Sequence, residues 1–140
     1  MKTCLVDTGI IYALFDRADR WHTKAAEFAA SYRGRLAVAA CAIPEAAYLV
    51  NKYLGAHAEQ ELILAFARGD FAIEELTRKD YARAAQLVAT YEKLNIGFVD
   101  AASVAVCERL KIADFATTDR RHFSVIKPAH RAELNLLPVA

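Results

Sequence analysis

Residues 35–40, RLAVAA, show no alternation of polar and apolar side chains. A strand with one wet face alternates, whereas a strand that is apolar throughout has to be covered on both faces. TCLVD (3–7) has the same buried character, and FAIEEL (71–76) alternates as a strand does. FATT (115–118) and ELNLLPV (133–139) supply two further short strands. Stretches of helical spacing separate these segments. Such alternation predicts an α/β fold, a mostly parallel sheet with helices on both faces.

Breakers delimit the helices. TGIIYALF (8–15) runs into the charged loop DRADR, and WHTKAAEFAASY (21–32) sets Ala25, Phe28, Ala29 and Tyr32 on one face before Gly34 stops it. Pro44 falls in the first turn of a helix, where proline is tolerated, and that helix is expected to reach Leu54 before Gly55. AHAEQELILAFARG (56–69) closes on Gly69. TRKDYARAAQLVATYEKL (77–94) has an amphipathic stripe of Tyr81, Ala84, Ala85, Val88 and Tyr91. NIGFVD (95–100) leads into the mostly apolar helix AASVAVCERLK (101–111).

At 140 residues and 56% hydrophobic, the chain suits one domain, residues 1–140, with a core that needs no staples. A net charge of +1 excludes a strongly basic nucleic-acid coat but leaves room for a local basic patch. Cys4, Cys41 and Cys107 lie far apart in apolar runs without CxxC spacing, so they are expected to be plain buried thiols in a reducing cytosol. MKTCLVD meets an acid at once and has no signal-peptide core. The longest apolar stretch, LAVAACAIPEAAYLV, is interrupted by Pro44 and Glu45 and is shorter than the ~20 residues of a membrane helix. The expectation is a soluble, cytoplasmic protein with no membrane contact.

Four carboxylates are embedded in apolar sequence at expected strand-to-helix junctions: Asp7 after CLV, Glu45 after LAVAACAI, Asp100 after IGFV and Asp119 after FATT. In an open parallel sheet, ligands bind in the crevice at the carboxyl ends of the strands. Each acid also has an ordinary reading. The three aspartates suit N-caps, and Glu45 suits the positive end of a helix dipole. Ala46, Ala47, Tyr48, Leu49 and Val50 leave that helix almost no polar face, so Glu45 is expected to be buried and in need of a partner or a cation. Converging acids repel, and an oxygen-only donor set without His or Cys selects hard ions such as Mg²⁺ or Mn²⁺. The chemistry implied by such a site is phosphodiester hydrolysis.

VDTGIIYALFD, IPEAAYLV, FVDAASVAVCERL and ATTDRRHF resemble, in order and spacing, the four acidic motifs of PIN-domain ribonucleases, with VapC-type toxins of prokaryotic toxin–antitoxin pairs the nearest likeness. The resemblance spans essentially the whole chain. It implies a PIN-like three-layer α/β/α sandwich with a central mostly parallel sheet. It implies that Asp7, Glu45, Asp100 and Asp119 are catalytic and hold Mg²⁺ or Mn²⁺, with the hydroxyls of Thr8 and Thr117 beside them. It further implies an RNA substrate, a homodimer, and inhibition by a cognate VapB-type antitoxin whose C-terminal segment covers the groove.

Arg120 and Arg121 are candidates for holding RNA phosphates, with Lys127, His130 and Arg131 as weaker ones, against the alternative of a solvated face. His122 suits a general base only in a metal-free ribonuclease; otherwise a histidine beside Phe123 is structural. The helical spacing of Tyr12, Phe15, Trp21 and Tyr48 argues for core or dimer contacts over base stacking. Ser103 is read as an ordinary helix residue, and His22 and His57 carry no motif. The competing functions are a PIN-fold RNA-processing nuclease outside a toxin system and a non-catalytic RNA- or partner-binding PIN protein. A flavodoxin-like domain with another ligand is disfavoured, because the sequence has no Gly-rich phosphate loop.

Overall fold

The unalternating strands are explained by two cores. In a computed structural model that describes residues 2–139, the sheet carries β1 (Thr3–Val6), β2 (Arg35–Ala39), β3 (Ala72–Glu74), β4 (Asp114–Ala116) and β5 (Asn135–Leu137). Leu5, Ala37, Ala39 and Phe115 enter one core, while Cys4, Val6, Val38 and Ala116 enter another. Successive strand residues point to opposite faces, so each face of the central strands meets its own helical layer. The first layer holds α5 (Arg78–Thr90), α6 (Phe98–Leu110) and the short α7 (Arg120–Phe123). The second holds α1 (Thr8–Phe15), α2 (His22–Ser31), α3 (Ala42–Leu54) and α4 (Ala56–Arg68). This is the expected three-layer α/β/α sandwich.

All strand pairs are parallel, in the order β3-β2-β1-β4-β5. The chain winds outward through β2 and β3 on one side of β1 and through β4 and β5 on the other. The reversal falls between β1 and β4, where Leu5 is in register with Phe115 and Val6 with Ala116. A ligand crevice belongs outside the carboxyl ends of these two strands.

Several local expectations need correction. On α5 the buried residues are Asp80, Ala84 and Leu87, while Tyr81, Ala85 and Val88 face outward. The helix is turned because Asp80 is drawn inward by two partners. It closes a capping box with Thr77 and pairs with Arg109 of α6 at 3.0 Å. α3 is not buried all round: Ala42, Ala46 and Val50 form its inner stripe, and Tyr48 and Tyr53 are exposed. α2 ends at Ser31, ahead of Gly34. Gly34 is needed for a close approach instead, since a Cβ there would stand 2.5 Å from the Lys2 carbonyl oxygen. Cys4 and Cys107 are buried free thiols, and Cys41 is half-buried.

Candidate metal centre

Asp7 directly follows β1, and its N–H donates to the Ala116 carbonyl at 2.8 Å, carrying the β1–β4 ladder one step beyond the sheet. That bond fixes the residue at the strand ends with its side chain almost wholly buried. Asp7 caps α1: Oδ1 accepts from the Thr8 N–H at 2.9 Å. Oδ2 accepts from the hydroxyl of Thr117, a buried residue just past β4, at 3.0 Å. The same Thr117 oxygen accepts from the Asp119 N–H at 2.9 Å. One hydroxyl therefore ties the first acid to the last. A Cβ at Gly9 would overlap the Thr118 hydroxyl, so glycine lets the start of α1 lie against this turn.

Asp119 caps α7, accepting from the His122 N–H at 3.0 Å through Oδ1. Its Oδ2 is 2.9 Å from His122 Nδ1, and Asp100 Oδ2 is 3.6 Å from the same nitrogen. Asp100 is no cap and follows no strand. It sits in the first turn of α6, whose N-cap is Gly97 and which is entered from a 3-10 turn at Glu92–Leu94. Single ligand atoms of Asp100, Asp119 and His122 all lie within 4.8 Å of one another. Glu45, in the first turn of α3, is exposed. Its predicted burial is wrong because α3 turns only its inner stripe to the core.

The electrostatics show which acids share a site. Burial pushes the Asp7 carboxyl up to about 7, with Asp100 the next cause and Glu45 a smaller one, against the opposing bonds from Thr8 and Thr117. Asp100 is raised by burial first and by Asp119 next; His122 opposes the shift and Glu45 adds to it. Glu45 thus acts on the cluster through its charge from the rim. A site that resists ionisation of its own carboxyls fits a divalent cation, which would restore the charged forms. Two buried polar atoms without hydrogen-bond partners, Thr8 Oγ1 and His122 Nδ1, add to that fit.

The basic residues behave differently from one another. Arg120 lies over the Trp21 ring at 5.3 Å and donates to the Pro138 carbonyl, so its guanidinium holds the fold together. Arg121 is exposed. His130 bonds the Ile112 carbonyl at 2.7 Å, and Arg131 lines a cleft with Ala113 and Asp114. Both therefore stand at the entry end of β4, away from the acids. Ser103 is buried within α6. Two buried carboxylates escaped the sequence reading. Asp80 is described above. Asp114, at the entry end of β4, accepts from the Tyr32 hydroxyl at 2.7 Å and from Asn135 at 2.9 Å. The place of His122 beside two acids was also missed, although its position three residues after Asp119 in a helical turn was the available signal.

A family model described as PIN domain matches residues 4–127. Ribonuclease VapC26 of Mycobacterium tuberculosis (strain ATCC 25618 / H37Rv) is 30% identical over 134 residues, which cover 96% of this chain and 99% of that protein. The crystal structure of Mycobacterium tuberculosis VapC20, a toxin described as cleaving the sarcin–ricin loop, matches with a TM-score of 0.79 at 22% identity. The match covers 84% of this chain and 91% of that one. A toxin–antitoxin complex from Klebsiella pneumoniae matches with a TM-score of 0.71 at 20% identity, over 96% of each chain. At these identities the two solved structures speak to the fold.

Proposed function

The chain belongs to the PIN-domain family, and we propose that it is a metal-dependent endoribonuclease, the toxin of a VapBC-type pair. The whole chain is taken as one PIN domain. The observation that carries the reading lies at the β1–β4 switch point: Asp100, Asp119 and His122 offer ligand atoms within 4.8 Å of one another, the Thr117 hydroxyl ties Asp7 to Asp119 beside them, and burial and neighbouring acids raise the carboxyls of Asp7 and Asp100. Asp7, Asp100 and Asp119 are the proposed cation ligands, with Glu45 contributing charge from the rim. Mg²⁺ or Mn²⁺ suits a donor set dominated by carboxylate oxygen.

A bound divalent cation supplies Lewis acidity at a phosphoryl oxygen and lowers the pKa of water. The protein's part is to hold the donors still. Thr117 orients Asp7 through its hydroxyl and Asp119 through that residue's N–H. Asp119 also spans its helix turn, one oxygen on the cap and one toward the site. Exposed Arg121, next to the turn, is placed to attract the phosphate backbone. Arg120 is committed to Trp21 and Pro138 and is the weaker RNA-binding candidate.

The partner in this reading is a cognate VapB-type antitoxin. An open groove beside the C-terminal parts of α1 and α3 is lined by Tyr12, Leu49 and Tyr53, with Asp16, Asp19 and Arg20. Apolar side chains and two acids against one arginine suit an amphipathic segment with basic side chains. A homodimer is part of the same proposal, as is a cytoplasmic location; no helix of the described residues is long and apolar enough to cross a membrane.

The test is cleavage of total RNA by the purified protein with Mg²⁺, with Mn²⁺, and with excess EDTA. Cleavage that chelator abolishes and either ion restores is expected, together with growth arrest on expression that the antitoxin relieves. Full cleavage in EDTA would overturn the metal reading. An unaffected culture containing folded, uncomplexed protein would overturn the toxin reading.

A further inference from the structure

His122 is the odd member of an otherwise carboxylate site, and its surroundings give it work to do. Of the four histidines, His22 is bonded to the Ala13 carbonyl at 2.7 Å, His130 to the Ile112 carbonyl at 2.7 Å, and exposed His57 lies 3.9 Å from Glu61. Nδ1 of His130 is also buried without a hydrogen-bond partner, but that ring is already held through Nε2. Nδ1 of His122 is buried, lacks a hydrogen-bond partner, and stands 2.9 Å from Asp119 Oδ2 and 3.6 Å from Asp100 Oδ2. The contact with Asp119 is in ion-pair range but is not aligned as a hydrogen bond. Adjacent ligand atoms of an octahedral ion with bonds of ~2.1 Å stand about 3.0 Å apart, which is the spacing shown by Nδ1 and Asp119 Oδ2. The backbone keeps it there. The His122 N–H is held by Asp119 Oδ1, so the acid and the imidazole are positioned by one helical turn.

We infer that His122 Nδ1 is a direct ligand of the bound cation, alongside Asp100 and Asp119, and that it shifts the site's preference from Mg²⁺ toward Mn²⁺. This deepens the proposed function and rests on its metal site. Mg²⁺ takes oxygen ligands and dehydrates reluctantly, whereas imidazole nitrogen favours transition ions. Replacing one oxygen donor by nitrogen therefore weakens the claim of Mg²⁺ and strengthens that of Mn²⁺. The imidazole binds as the neutral form, with its proton on Nε2.

The experiment is binding of Mn²⁺ and of Mg²⁺ to the full chain, measured by calorimetry, with electron spin-echo spectroscopy of the Mn²⁺ complex. Wild-type protein should bind Mn²⁺ more tightly and show modulation from a coordinated imidazole nitrogen. In His122→Ala the modulation should vanish and Mn²⁺ affinity should fall about tenfold or more, a loss of at least the size that metal-site partners typically produce. Mg²⁺ affinity should change far less, so the preference narrows. His122→Gln, which retains a polar side chain, should behave like His122→Ala in the spectrum. Melting curves check that both variants fold, and the wild-type spectrum is decisive without either. Bound Mn²⁺ without nitrogen modulation overturns the inference and leaves the carboxylate site standing. So does an equal loss of both ions in the variants. Mn²⁺ binding indifferent to Asp100→Asn and Asp119→Asn overturns the metal site itself, and this inference with it.

Discussion

Replacing Asp7 by asparagine isolates what the fold gives up to keep a carboxyl at the strand ends. The group stands at about 7 where an exposed aspartate stands at 3.8, chiefly through burial and next through Asp100. A raised carboxyl pKa means that the native state keeps its proton longer than the unfolded chain. Ion-free stability therefore falls as pH rises from about 4 to about 7 and is flat above that. Three pKa units amount to roughly 4 kcal/mol at about pH 8, and less than about 1 kcal/mol remains at about pH 4. Asn retains an oxygen for the Thr8 N–H but turns an amide toward the Thr117 hydroxyl, whose hydrogen then has to point elsewhere. That rearrangement costs about 1 kcal/mol. Asp7→Asn should thus gain about 3 kcal/mol at pH 8, or roughly 9 °C in Tm for a domain of this size, and lose slightly at pH 4. The assay is thermal melting of both proteins in chelator across that pH range. Adding Mn²⁺ should raise the wild-type Tm and leave the variant almost unmoved. Parallel pH profiles, or a variant less stable at pH 8, would refute the argument that Asp7 is held against its own ionisation.

Asp119→Asn keeps the cap of α7, because Asn and Asp rank together at that position, so its ion-free Tm should match the wild type while RNA cleavage falls by more than the ~10–100-fold typical of outer-shell partners. Glu45→Gln removes an exposed rim charge; single-turnover kinetics should show a smaller loss than for Asp100→Asn, with stability changed by less than about 0.5 kcal/mol. Arg120→Ala should cost about 1–2 kcal/mol in denaturant titration through the Trp21 stack and the Pro138 carbonyl, with cleavage per folded molecule intact. Arg121→Ala should leave the Tm alone and weaken RNA binding with a shallower salt dependence, read by fluorescence anisotropy.

The layers were legible because apolar strands without alternation have one physical explanation, and the breakers at Gly55 and Gly69 mark helix ends through a backbone conformation that glycine adopts freely. What stayed hidden depended on partners distant in sequence. The stripe drawn through Tyr81, Ala85 and Val88 followed apolar spacing. The helix obeyed Asp80, whose partner Arg109 lies on another helix, and a half-buried ion pair between helices leaves no mark in local periodicity. Glu45 was expected inside because its neighbours are apolar, yet exposed apolar residues are common and Tyr48 is one of them. Asp114 went unnoticed because its partners Tyr32 and Asn135 come from other parts of the chain.

Capping a helix and facing a cation are compatible roles for one aspartate. A carboxylate has two oxygens, and a helix start needs only one. Asp119 gives Oδ1 to the His122 N–H and turns Oδ2 toward Nδ1 and the site. The cap does more than tolerate the ligand role: by fixing one oxygen it fixes the direction of the other, and so removes most of the rotamer entropy that cation binding would otherwise have to overcome. Asp7 is held more tightly still, with Oδ1 on the Thr8 N–H and Oδ2 on the Thr117 hydroxyl. Each of those oxygens retains a lone pair after accepting one bond. Asp100 lacks both devices, being inside the first turn of α6 with Gly97 as its cap. Of the three aspartates it is the one whose orientation a bound ion has most to impose, so loss of the ion should loosen Asp100 first. In spectra of labelled protein recorded with and without Mg²⁺, the Asp100 side-chain carboxyl signal should move and broaden most, and that of Asp7 least. The reverse order would mean that the caps do not orient the site.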